Sequence, residues 1–249
     1  MSSFMRVNNP TLREDTFRSV GITTDSPMTL KGTIGKTALL LAIMIGTSVI
    51  GWQIASPFWI IASFLVAIGI SFGIYFKREW AMPLGLLYSA TIGIGVGGIS
   101  LIYTQLVQDS AYKNIVPTAV LATFTVLGVM LALYSARIIR VTETFRSVVI
   151  GATIAIFLFY IGSFAISFFW PAVYQTPVYA SGPIGIIFSI FVIGIAAMNL
   201  ALDFDLIETG VDAKAPKYME WYGAFALLVT IVWLYIEILR LLAKLAGRR

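Results

Sequence analysis

The 249-residue chain has no cysteine and no histidine, and only 12% of its residues are charged. Without cysteine there is no disulfide framework, no thiol nucleophile and no thiolate metal site. Without histidine there is no imidazole ligand, no Ser-His-Asp or Cys-His triad, and no side chain whose unperturbed titration falls near neutral pH. Proton-sensitive behaviour therefore has to come from carboxylates or lysine. What fills the chain instead is apolar: 59% hydrophobic residues and a mean hydropathy of +0.90, outside the range of soluble domains.

About 20 apolar residues cross a hydrocarbon core, and seven stretches qualify: residues 37–55, 58–76, 80–106, 116–136, 148–169, 184–202 and 221–242. Backbone groups in lipid must be satisfied within each segment, so these stretches predict helices. The expected architecture is an all-α integral membrane protein with seven transmembrane helices. Residues 36–249 form the membrane domain, and residues 1–35 are expected as a flexible cytosolic tail. That tail is too long and too polar at its start for a signal peptide.

Lysine and arginine near the span ends set the orientation. Arg6, Arg13, Arg18, Lys31 and Lys36 precede the first span, and Lys77 and Arg78 follow the second. Arg137, Arg140 and Arg146 follow the fourth, and Lys214 and Lys217 follow the sixth. The connections between hold only Lys113. This alternation predicts a multi-pass cell-membrane protein with a cytosolic N-terminus. The C-terminus conflicts: seven crossings place it outside, yet it carries Arg240, Lys244, Arg248 and Arg249. Either the early charges dominate, or one of the last two segments does not fully cross. The net charge of +5 fits this topology signal and anionic headgroups. The lipid bilayer is the expected partner, and nucleic acid is not.

In the third span Gly85, Ser89, Gly93 and Gly97 recur every fourth residue. Such a seam lets a second helix backbone approach closely; tight packing is the plain reading, and a gating helix is the alternative. Trp52, Trp59, Trp80, Trp170, Trp221 and Trp233 fit mostly interfacial anchoring.

The carboxylates are the candidates for chemistry. Asp203, Asp205 and Glu208 follow an uncharged run, 183–202. At about 100° per residue Asp203 and Asp205 lie on opposite faces. Asp203 shares a stripe with Asn199 and is the expected inward group; Asp205 and Glu208 are expected to face headgroups and water. The alternative is that all three mark the end of the helix. On the last span, Glu220 lies near the start, and Glu237 lies deep, three residues before Arg240. Intramembrane acids are functional candidates by default; for Glu237 the alternative is an i,i+3 ion pair with Arg240.

Three stretches carry a family resemblance: 199–208 (Asn199 to Glu208), 215–222 (Ala215 to Tyr222) and 233–242 (Trp233 to Leu242). With Asn9-Pro10, Met28-Thr29-Leu30 and the run from Lys36 to Leu40, the chain closely resembles the Bax inhibitor-like family, in its bacterial YccA-type branch. The resemblance implies seven helices with the last at the centre. It also implies a pH-dependent calcium leak governed by an acid pair on the sixth and seventh helices. Asp203, ahead of Leu206-Ile207, matches the first acid, and Glu237 in Leu234-Tyr235-Ile236-Glu237 matches the second. Lys77 or Arg78 matches the basic latch of the closed state.

Two departures stand out: glutamate replaces the second aspartate, and the two acids are further apart in sequence than in the family pattern. In straight helices Asp203 and Glu237 would differ in depth by roughly 20 Å; depth favours Glu220 as the partner, and the motif favours Glu237. A broken sixth segment would reconcile the two. In such a pair two like charges share a proton, and calcium, as permeant or bound ion at Asp203, competes with it for oxygen. The other functional reading is a non-transporting regulator that binds a membrane protease or another membrane protein. An enzyme is not expected: Asp203 and Asp205 lack the Gly-x-Gly-Asp context of an intramembrane aspartyl protease. A proton-coupled carrier would need an internal repeat that is not evident.

Overall fold

The computed structural model describes residues 27–107 and 114–247. Seven helices carry them: α1 Leu30–Gln53, α2 Pro57–Phe76, α3 Ala81–Leu106, α4 Ile115–Ser135, α5 Glu143–Ser167, α6 Pro183–Asp212 and α7 Met219–Ala246. Each is long and apolar enough to cross a membrane, α3 together with the preceding single turn Arg78–Trp80. No strand occurs among the described residues. Arg6, Arg13, Arg18, Asn9-Pro10, Lys113, Arg248 and Arg249 lie outside them.

Local chemistry sets the helix ends. The hydroxyls of Thr29, Ser56 and Thr142 each accept a bond from a backbone N–H of the first turn of α1, α2 and α5, and Pro57 and Pro183 occupy early positions where a missing N–H costs nothing. At the other ends, Arg137 after α4 and Lys214 after α6 sit at φ 58° and 49°. That left-handed conformation usually belongs to glycine. Lys214→Gly is therefore expected to stabilise the protein by about 0.5–1 kcal/mol, read as a rise in Tm in detergent; a fall would show that the lysine side chain holds the turn.

Two of the expected boundaries move. Residues 30–35, assigned to the tail, are the first turns of α1, because Thr29 caps the helix there. The sixth segment does not stop at residue 202 but continues unbroken for 30 residues to Asp212, about 45 Å at 1.5 Å per residue. The helix passes through Gly210 without a break, so the three acids are helical, and both of the last two segments are continuous helices.

The centre of the bundle is α7. It packs against α1, α3, α4 and α6, and 56% of its most apolar stretch is buried, as in its neighbour α3, against 17% for α1 and α5. The seam of small residues joins α3 to α1. A Cβ on Gly93 would strike the backbone of Met44, and one on Gly97 the backbone of Ser48 and Trp52. Thr47 and Ser48 on α1 bond to their own helix's carbonyls, so the approach is sterically rather than polar driven. A Cβ on Gly85 would lie only at ordinary contact distance from Leu40. The seam is close packing.

Two of the C-terminal cations, Arg240 and Lys244, also have a structural explanation. Lys244 Nζ donates to the carbonyls of Val178 and Gly185 and to Ser189 Oγ, at 2.8, 2.9 and 3.0 Å. Arg240 is paired with Glu237. Both cations are satisfied within the bundle, so they stop competing with Lys77, Arg78, Arg137, Arg140 and Arg146 as orientation signals. The latter cluster at one end, called the basic end below.

Candidate functional site

Polar groups collect along α7 and the facing stretch of α6. Asp203 lies on α6 opposite α7, with the Thr230 hydroxyl beside its carboxyl. Its Oδ2 is buried and has no hydrogen-bond partner. An unsatisfied buried oxygen is costly, and among the described residues it is the one side-chain atom in this state. Asn199, one turn deeper, does not extend the site towards α7. Its amide donates to Thr153 of α5 at 2.8 Å and to the Ile195 carbonyl at 2.9 Å.

The neighbouring acids have cationic partners. Arg146 of α5 holds Asp205 at 2.7 Å and Glu143 at 3.1 Å. Glu208 accepts from Tyr134 and from both guanidinium nitrogens of Arg137. Glu208 in turn raises the pKa of Arg137, which lies exposed between α4 and α5, further above its ordinary value through these bonds. Both acids point to the α4–α5 end of the bundle and are partly exposed, as the helical geometry predicts.

Glu220 and Glu237 are each 1% exposed. Glu220 accepts from the Thr29 backbone N–H at 2.9 Å, from the Thr29 hydroxyl at 2.8 Å and from Lys36. It clasps the start of α1 to the start of α7. Met28 completes the clasp by donating to the Ala215 carbonyl at 2.7 Å and packing with Ile207, Ala215 and Met219. Glu237 accepts twice from Arg240 Nη1, at 2.9 and 3.0 Å. Arg240 also donates to Tyr160 of α5 and lies over its ring, 4.7 Å from the centroid. The i,i+3 ion pair is thus the geometry at Glu237.

Among the described residues no carboxylate pairs with Asp203. Thr230, its neighbour on α7, precedes Glu237 by seven residues and follows Glu220 by ten, about 10 and 15 Å along the axis. Level with Thr230, Asp203 lies deeper along α7 than a span ending at residue 202 implied, so depth does not favour Glu220 over Glu237. Of the two basic residues, Lys77 lies over Trp80 at 4.5 Å and Arg78 over the Tyr222 ring at 5.5 Å. Neither Lys77 nor Arg78 forms an ion pair among the described residues.

No group of three acids that could hold a metal ion occurs among the described residues. What sequence reasoning missed are the partners: Lys36, Arg137 and Arg146 read as topology charges, and nothing local ties them to acids 59 to 184 residues away.

The fold and these groups define a polytopic helical membrane protein with buried ionisable side chains arranged around one central helix. A search of curated proteins finds no match. A family model described as Bax inhibitor 1 like matches residues 9–247, and the chain belongs to that family. The YccA-type branch is carried by the sequence resemblance alone.

Proposed function

We propose that the protein is a pH-sensitive cation leak pathway, with calcium as its cargo and its basic end on the cytosolic side. The observation that carries this reading is the buried, unpartnered Oδ2 of Asp203. A proton or a cation would each satisfy that oxygen, and the two compete for it. An ionised Asp203 attracts calcium, whereas a protonated one does not. Arg78, over the Tyr222 ring, is the latch in this reading, with Lys77 next to it in the chain. Glu220 and Glu237 are held by Lys36 and Arg240, and Asp205 by Arg146, so opening would have to exchange at least one of these pairs. Family membership favours a role other than catalysis.

Calcium flux into proteoliposomes, followed from acid to neutral pH, tests the reading. Removing one charged ligand costs about 1.5–3 kcal/mol, so Asp203→Asn is expected to lower cation occupancy roughly 10- to 100-fold and to flatten the pH response. Unchanged flux with an unchanged pH profile would remove Asp203 from the mechanism. A second reading, a regulator that binds a membrane protease or another membrane protein, draws on the clasp: Met28 and Thr29 dock the point from which residues 1–26 depart. Deleting those residues would abolish co-purification with such a partner while leaving flux intact.

A further inference from the structure

A cavity of about 720 Å³ runs along one side of α7, between α2 and α5. Its α7 lining extends from Tyr222 to Arg240, 18 residues or about 27 Å, close to the thickness of a bilayer's hydrocarbon core. The middle is apolar, with Phe72 of α2, Phe157 of α5 and Val229 of α7 among its walls. The hydroxyls of Ser71 and Thr153 there are already spent on carbonyls of their own helices. Polar groups stand at the two ends. Glu237, Arg240 and Tyr160 close the far end as a mutually satisfied cluster. At the basic end the lining consists of Tyr75 and Tyr222, and Arg78 lies over the Tyr222 ring.

We propose that this cavity binds one acyl chain of an anionic phospholipid, with the headgroup phosphate on Arg78 and Lys77. The slot is apolar, and one acyl chain, which reaches through a single leaflet of roughly 15 Å, fits in its basic-end half. The charge decides the class of lipid: Arg78, over the Tyr222 ring that lines the mouth, and Lys77, next to it in the chain and over Trp80, have no carboxylate partner among the described residues, unlike Lys36, Arg137, Arg146 and Arg240. Both therefore offer donors to a phosphate without breaking an ion pair. Arginine's planar fork suits phosphate oxygens. A zwitterionic lipid would fill the same slot but gain less at its mouth. This binding goes beyond the leak reading and does not depend on Asp203.

The test uses the full chain in a nonionic detergent, with phosphatidylglycerol or phosphatidylcholine of identical chains added, and retained lipid counted by native mass spectrometry. Each basic residue near a membrane surface contributes about 1 kcal/mol, so two predict a preference of roughly 30-fold for the anionic lipid. The double variant Lys77→Gln/Arg78→Gln should lose that preference but still retain both lipids weakly. Ser71→Phe, which fills the slot from α2, should lower retention of both lipids, and Asp203→Asn should change neither. An anionic preference that survives the double variant would overturn the headgroup site. Equal retention of the two lipids by the unaltered protein would overturn the choice of an anionic lipid. Undiminished retention in a folded Ser71→Phe protein would overturn the slot.

Discussion

Arg240→Met is expected to destabilise the protein by about 3–5 kcal/mol, the cost of stranding a buried carboxylate without its counter-ion. Glu237 is 1% exposed, and Arg240 supplies both of its hydrogen bonds. Methionine keeps the length and apolar bulk of the arginine stem, so the loss isolates the charge rather than the packing. The same change releases Tyr160, which loosens the contact between α5 and α7. The double variant Arg240→Met/Glu237→Met should recover most of the stability, because removing a buried pair together is often close to neutral. Thermal unfolding of the two variants in detergent measures the difference. A single variant as stable as the parent would show that Glu237 sits in a wet, solvated place.

Gly97→Leu should have the next largest effect. A Cβ alone would lie 2.9 Å from the Trp52 backbone nitrogen and still nearer the Ser48 carbonyl. Those atoms belong to the backbone of α1 and cannot rotate away, so α1 and α3 must separate. Overpacking a close-fitting site costs about 1–3 kcal/mol, and a whole leucine across a backbone contact belongs at or above the top of that range. Gly128 on α4 is the control, because a Cβ there meets nothing within 4 Å. Gly128→Ala should be neutral or stabilising by up to about 1 kcal/mol through helix propensity. Equal melting temperatures for Gly97→Leu and the parent would show that the seam does not bear on stability.

The helices were readable because each writes its own hydrophobicity into consecutive residues. Their ends were less so. Residues 30–35 contain Lys31 and two glycines, so hydropathy cut α1 short, whereas the Thr29 cap and Glu220 extend it. Likewise, charge at Asp203 suggested the end of a span, yet α6 continues to Asp212 because Arg146 and Arg137 satisfy its acids. Helical periodicity correctly separated Asp203 from Asp205. It could not reveal that Asn199 turns to Thr153 of α5, since the identity of a neighbour depends on how helices pack and not on spacing within one. The ion pair of Glu237 was legible because both partners lie within one turn. The clasp at Glu220 was not, because its partners are more than 180 residues away.

Of the seven helices, the one at the centre of the bundle is the last to be synthesised. Thr29 leaves the ribosome 191 residues before Glu220, an interval of roughly 10–40 s at about 5–20 residues per second. Throughout that interval Lys36 has no Glu220, and Ser100 has no Tyr235, its partner at 2.7 Å. The inward faces of α1, α3, α4 and α6 have nothing to surround. A nascent chain cut off before α7 is therefore not a smaller copy of the finished protein but a ring without its hub, and biogenesis has to hold that ring in the membrane until the hub arrives.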